Sequence, residues 1–194
     1  GGALSNVWSG QNSSGKDWKL RIGAETRTDR IGRVGLSRTQ NRGLLESIRN
    51  DRVREASVGI YLDAEYKFSA QWRTYFGSRI DHYDFNVAGL NCAFQPASCL
   101  NSGATSASIG SPKASLIYTL GKPLELYLSA GNGFHSNDAR GTTTRIDPRN
   151  GDAVEPVTPL VASFGQELGA RIFVNDRLNA TLAFWQLKID SELL

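Results

Sequence analysis

The chain has few of the residues on which metal and covalent chemistry depend. It contains no methionine, two cysteines and two histidines among its 194 residues. Two thiols are too few for a structural zinc site, and two scattered histidines argue against a Ser/His or Cys/His catalytic set. No phosphate loop, dinucleotide loop or nucleophile elbow is present. We therefore expect no enzyme activity, no catalytic or metal-binding residues and no cofactor.

Long hydrophobic runs and a concentration of one charge are also missing. Hydrophobic residues make up 40% of the chain, but none of the apolar runs approaches the roughly 18 residues of a membrane-spanning helix. The 22 basic and 19 acidic residues give a net charge of +3 and are spread along the chain, which argues against nucleic acid as a partner. The chain also lacks an initiator methionine and a secretory leader, so we expect the start of the gene product to lie outside this sequence.

What the sequence does have is alternation of apolar and polar residues over unusually long stretches. Residues 56–67 place Val58, Ile60 and Leu62 on one side and Ser57, Asp63 and other polar residues on the opposite side. Successive side chains of a strand point to opposite faces of its sheet. The pattern predicts a long strand with one apolar and one charged face, longer than the five or six residues typical of soluble strands.

The same pattern predicts about seven strands and the stub of another. The strands are expected at residues 18–27, 56–67, 72–83, 113–120, 124–131, 166–173 and 178–189, and the stub at 3–8. In the last strand the alternation slips after Phe184, where Trp185, Leu187 and Ile189 become the apolar set. We expect a β-bulge at that point.

The connections between these strands alternate in length. Short turns are expected at residues 9–17, 68–71, 121–123 and 174–177, and long loops at 28–53, 85–112 and 132–162. Long antiparallel strands with short turns at one end and long loops at the other are typical of outer-membrane β-barrels, whose outward face is apolar. Because seven strands and a stub leave two unpaired edges, residues 1–194 are expected to be part of a barrel domain. A soluble β-sandwich, which also alternates, is the alternative fold.

Four stretches of the chain also resemble the barrel of proteobacterial TonB-dependent receptors. They are RIGAETRTDRIGRVGLSRT, DRVREASVGIYLDAEYKF, GNGFHSNDARGTT and LNATLAFWQLKIDSELL, of which residues 133–141 are the most specific. The resemblance implies a barrel of about twenty-two strands in the bacterial outer membrane, in contact with its lipid. It also implies a plug domain and uptake driven by the TonB system of the inner membrane. The plug and the remaining strands are absent from this sequence.

Two small groups of residues are candidates for function. His135, Asn137, Asp138 and Arg140 would lie where the fifth strand meets a long loop, and they could either grip a polar or anionic solute or anchor the loop to its neighbours. Cys92 and Cys99 bracket a short segment between turn-forming residues, which suits a disulfide in an oxidising compartment. Two unpaired cysteines of a cytosolic protein are the alternative.

Together these features predict an outer-membrane transport receptor. The resemblance implies TonB-coupled active uptake of a scarce small solute, such as a ferric siderophore. A passive porin, which would conduct ions without a plug, and a soluble β-sandwich binding module are the alternatives. The charged side chains of the strands, including Arg21, Arg73, Arg79 and Arg171, are expected to face the lumen and to pair with acidic neighbours or with a plug.

Overall fold

A computed structural model of the chain describes residues 1–90, 92, 99–121, 123–175 and 178–190. These residues form one antiparallel sheet and a short helix, α1 (Ala139–Thr143). The strands are β1 (Gly2–Gln11), β2 (Asp17–Gln40), β3 (Gly43–Lys67), β4 (Trp72–Gly89), β5 (Gly103–Gly110), β6 (Lys113–Thr119), β7 (Leu124–Ser136), β8 (Leu160–Asn175) and β9 (Leu178–Ile189). Within the described part of the chain, no helix is long and apolar enough to cross a membrane.

The sheet is a meander in which each strand pairs with the next along the chain. β5 and β6 behave as one strand, because both pair with β4 in a single continuous register. The interruption falls at Pro112, which has no backbone N–H to donate. In the described residues β1 and β9 form the two edges of the sheet, which is not closed.

Register keeps the two faces of the sheet distinct from one edge to the other. Outside the irregular register of the β2–β3 hairpin beyond Ile31 and the β8–β9 turn at Asn175, paired positions differ by an even number. The even-numbered residues therefore share one face, as in Ala24 with Ile60 and Ile60 with Ile80. Ile60 is 62% exposed and Ile80 is 65% exposed on this apolar face, and no second layer formed by the described residues covers them. A β-sandwich would bury these side chains against another sheet, so the soluble alternative is wrong.

The loop end of the sheet differs most from the sequence-based prediction. The loop expected at residues 28–53 is largely strand, because β2 and β3 continue as a long hairpin that turns at Asn41 and Arg42 with φ of 48° and 65°. The loop expected at 85–112 contains the end of β4 and all of β5, and the loop expected at 132–162 contains the ends of β7 and β8. The stub at 3–8 is the strand β1, and with β5 the sheet has nine strands in the described residues, two more than the seven predicted.

At the turn end the predictions agree with the structure. β3 ends at Lys67 and β4 begins at Trp72, as expected for the turn at 68–71. The predicted turn at 174–177 is shorter, since β8 continues to Asn175, and residues 176–177 lie outside the described residues.

The prediction of a bulge near Phe184 is wrong, because β8 and β9 pair without a shift from Ser163 to Phe173. The apolar residues after Phe184 therefore lie on the charged face.

Two tyrosines pack across glycines of the neighbouring strand on the charged face. Tyr61 is paired with Gly23, and Tyr127 is paired with Gly169. A Cβ atom at either glycine would overlap the opposite ring. Each ring therefore covers a residue that contributes no side chain of its own, which compensates for the weak packing of glycine in a strand.

Candidate functional site

The charged face carries a chain of ion pairs across the middle of the sheet. Arg79 contacts Asp81 and Glu25, with donor–acceptor distances of 2.8 and 2.9 Å. Arg21 is paired with Asp63, which also accepts a hydrogen bond from Tyr75. These contacts confirm that Arg21 and Arg79 lie on one face of the sheet and pair with acidic neighbours there.

The pairs continue toward β9. The contacts are Arg73 with Glu125 at 3.2 Å, Arg171 with Glu125 at 3.8 Å, and a hydrogen bond from Tyr127 to Glu167. The Arg171 guanidinium also lies over the Tyr127 ring at 4.7 Å. Because the arginines of this face are paired with carboxylates of their own or neighbouring strands, the face is highly polar with little net charge.

At the loop end, the charged face is covered by the connection between β7 and β8. β7 stops pairing with β6 at Asn132, whose N–H donates to Pro112 O at 2.8 Å, and continues beside β8 alone. Helix α1, which follows β7, packs on β3 and β4. A small core forms beneath it from the buried residues Val53, Phe85, Val87, Ala139 and Leu160. Full burial of a side chain such as Phe85 is worth about 1.5–3 kcal/mol, so this core holds the connection against the sheet.

Asn101 fixes this connection to the loop between β4 and β5. Its side chain is completely buried. Oδ1 accepts hydrogen bonds from Arg145 N at 2.8 Å and Ile146 N at 3.0 Å, and Nδ2 donates to Ile146 O at 2.7 Å. The Thr143 hydroxyl donates to Asn101 O at 2.9 Å. One side chain thus satisfies three backbone groups of a segment more than forty residues away.

A buried ion pair lies beside this anchor. Arg49 Nε lies 2.5 Å from Asp51 Oδ2, and Arg49 Nη1 donates to Thr144 Oγ1 at 2.7 Å. Burial raises the pKa of Asp51 above its ordinary value, although the Arg49 charge opposes the shift. The long β2–β3 hairpin is therefore joined to the same loop cluster. Sequence reasoning missed both Asn101 and Arg49, since both lie in segments predicted to be loops.

The four residues predicted as a ligand or anchoring cluster are all found where β7 meets this loop. Asn137 donates from Nδ2 to Thr158 O at 2.7 Å, across the base of the loop. Asp138 caps α1 by accepting from Arg140 N at 2.9 Å, and its carboxylate also pairs with the Arg140 guanidinium, which lowers the pKa of Asp138. His135 is exposed and lies opposite Val161 of β8.

The described residues hold no group of three or more His, Cys, Asp or Glu side chains that could bind a metal ion. Cys92 and Cys99 are joined in a disulfide, with their Cα atoms 5.6 Å apart. The disulfide closes part of the β4–β5 loop next to Asn101. Three loops thus meet over the charged face, and their side chains offer hydrogen-bond donors and charges of both signs.

Comparison with known proteins identifies this architecture. The model of the TonB-dependent receptor-like β-barrel matches residues 2–194. The chain belongs to this family. Its members are transport receptors of the bacterial outer membrane, not enzymes. The apolar face of the sheet is therefore the lipid face, the charged face is the inner face, and the long loops are extracellular.

Solved structures of receptors share the fold at low sequence identity. The alcaligin outer-membrane receptor FauA of Bordetella pertussis has a TM-score of 0.66 and 18% identity, and the match covers 96% of this chain and 28% of FauA. The ferric-catecholate import receptor Fiu of Escherichia coli K12 has a TM-score of 0.60 and 14% identity over 96% of this chain and 31% of Fiu.

The copper transporter OprC has a TM-score of 0.57 and 10% identity over 94% of this chain and 29% of OprC. The chain thus spans about three tenths of the length of each structure. No curated protein matches its sequence.

Proposed function

We propose that the chain is part of the barrel wall of a receptor that takes up a scarce solute by TonB-coupled active transport. The observation that carries the proposal is the family match over residues 2–194. An inner wall lined with paired charges suits a wet lumen that also holds a plug. The receptors FauA and Fiu, which share the fold, are receptors for alcaligin and for ferric catecholates. A ferric siderophore is therefore the first solute to test.

The extracellular loops are proposed to provide the first contact with the solute. The polar groups of three of the predicted residues form contacts within the β7–β8 loop. Asn137 bonds to Thr158 O, and Asp138 pairs with Arg140. His135 is exposed at the end of β7, and within the described residues its side chain, unlike that of Asp138, forms no hydrogen bond or ion pair. We assign loop anchoring to the first three and solute contact to His135.

Uptake by cells tests the transport proposal. A strain that lacks the full-length receptor is compared with the complemented strain and with one that lacks TonB, with ⁵⁵Fe-labelled hydroxamate and catecholate siderophores as probes. The proposal expects uptake of one probe to require both the receptor and TonB. Uptake that needs the receptor but not TonB, together with steady ion conductance of the purified protein in planar bilayers, would favour the passive porin instead.

Two variants separate solute contact from loop anchoring. His135→Ala is expected to weaken solute binding while the hydrogen exchange of the β7–β8 loop stays unchanged. Asn137→Ala is expected to speed exchange in the loop, because the bond to Thr158 O is lost. If His135→Ala binds solute as tightly as the natural protein, His135 is not a contact residue.

A further inference from the structure

Three arginines lie on the lipid face at its extracellular end. Arg30, Arg52 and Arg54 are all exposed. Arg30 of β2 is paired directly with Arg54 of β3, and Arg52 lies two residues from Arg54, on the same side of its strand. Like charges directly opposite each other in a sheet repel, so this arrangement is unfavourable unless an anion lies between them.

The side chains of these arginines form no hydrogen bond or ion pair within the part of the chain that the structure describes. This sets them apart from Arg21, which is paired with Asp63 on the inner face. The acidic residue nearest to them on the lipid face is Asp84, which pairs with Ala56 in the register and contacts His82 at 3.5 Å. The cluster therefore retains a positive charge.

The position of the cluster along the strands matches the level of lipid headgroups. Tyr66 and Trp18 form a cross-strand pair at the turn end, and Arg54 lies twelve positions from Tyr66 on the same face. At about 3.3 Å per residue and a tilt of about 40°, that separation is roughly 30 Å along the membrane normal. The apolar band of an outer-membrane barrel is about 25 Å tall, so Arg54 lies just beyond it.

The surface beside the cluster can receive both parts of a lipid. Val58 and Ile60, which are 46% and 62% exposed, follow Arg54 toward the membrane centre and are available to acyl chains. A depression of about 590 Å³ adjoins Arg54 and is lined by polar side chains, including Asp84, Asn86 and Ser106. Arginine binds phosphate in a bidentate manner, and anionic lipid headgroups attract basic clusters at the membrane surface.

We propose that Arg30, Arg52 and Arg54 bind the phosphate group of a phosphorylated lipid in the outer leaflet. The continuous apolar surface below the arginines favours a lipid over free phosphate, because acyl chains and phosphate are then bound together. The site depends on the outer-membrane location of the barrel and is independent of the transported solute.

Native mass spectrometry of the full-length receptor in detergent tests the proposal. The probes are lipid A that carries both phosphates, the same lipid after dephosphorylation, and inorganic phosphate. The variant Arg30→Gln/Arg54→Gln removes the opposed pair. Arg38→Gln/Arg42→Gln removes the same charge from the tip of the same hairpin, where both residues are exposed beyond the headgroup level, and serves as the control. Circular dichroism and the heat-dependent gel shift of the barrel report folding of each variant.

Phosphorylated lipid A is expected to bind the natural receptor, and the Arg30/Arg54 variant is expected to bind it roughly 25-fold more weakly, at about five-fold per arginine. The control variant should bind as the natural receptor does. Equal loss in both variants would mean general attraction to positive charge and would overturn the site. Equal binding of the dephosphorylated lipid, or of inorganic phosphate alone, would overturn the assignment to a lipid phosphate.

Discussion

Substitution of Asn101 by alanine isolates the interaction that holds the extracellular loops together. The Asn101 side chain makes three hydrogen bonds to the backbone of Arg145 and Ile146, at 2.7–3.0 Å. Alanine preserves the backbone but leaves two N–H groups and one carbonyl group without a partner in a buried place. Each lost hydrogen bond costs about 1 kcal/mol, so the loop should lose on the order of 2–4 kcal/mol of local stability.

Hydrogen exchange followed by mass spectrometry on the full-length receptor measures this loss directly. If the loop opens locally, exchange of the amides in residues 139–159 should become roughly 30-fold to 1,000-fold faster, because 1.4 kcal/mol corresponds to a factor of ten. Amides of the strands in the membrane should exchange at their original rates. The thermal stability of the whole barrel should change little.

Asn150→Ala is the matched control. Asn150 lies in the same loop and is exposed, and among the described residues its side chain bonds only to Asp152, at 2.6 and 3.1 Å. This variant should change loop exchange by less than about three-fold, since exposed substitutions stay within about 0.5 kcal/mol. Unchanged exchange in Asn101→Ala, or an equal effect of Asn150→Ala, would refute the anchoring role of Asn101.

Further consequences can be measured at separate places in the molecule. Ile80→Lys in the middle of the lipid face should destabilise the barrel by about 2–4 kcal/mol in urea titrations, whereas Ser106→Lys on the same face beyond the apolar band should cost at most about 1 kcal/mol; equal costs would contradict the assignment of depth. The adjacent arginine lowers the pKa of Asp147 to about 2. The contribution of this pair to loop stability is therefore complete above about pH 4 and is lost as the pH falls toward 2; a carboxyl ¹³C titration with an ordinary midpoint would exclude the contact. Replacement of Cys92 and Cys99 by serine should loosen the β4–β5 loop by about 2–3 kcal/mol in hydrogen exchange without unfolding the barrel; a loop as well protected as before would show that the disulfide adds nothing.

The strands that cross the membrane could be predicted because lipid imposes a strict pattern on them. Every even-numbered residue from Ala56 to Tyr66 must suit hydrocarbon, and its neighbours must suit water, so alternation is visible without a structure. The turn at 68–71 and the pairing of charged side chains followed from the same reasoning. The prediction of a bulge after Phe184 was wrong, because Trp185 and Leu187 are apolar residues that lie on the inner face, where apolar side chains are also tolerated.

Beyond the apolar band the strands no longer contact lipid, so the alternation of apolar and polar residues that reveals them in the sequence is lost. Outside the membrane neither face of β2 and β3 meets hydrocarbon, and the loop cluster covers Arg49, Asp51 and Val53 on one face, so residues 28–53 show no regular alternation and were predicted to be a loop. β5 was not predicted for the same reason, since Ser106 and Ser108 occupy positions on the lipid face where apolar residues would be expected. Asn101 could not be recognised, because its partners lie 44 and 45 residues away in the sequence.

The central claim is that, within the membrane, even-numbered residues of the strands meet hydrocarbon and odd-numbered residues meet the lumen. Spin labels placed one at a time on residues 57–64 of β3, in the full-length receptor in a lipid bilayer, test this by their collision rates with oxygen and with a water-soluble nickel complex. We expect high oxygen accessibility at Val58, Ile60 and Leu62 and low values at Ser57, Tyr61 and Asp63. Uniform accessibility along the strand, or nickel collisions at Ile60, would contradict the account.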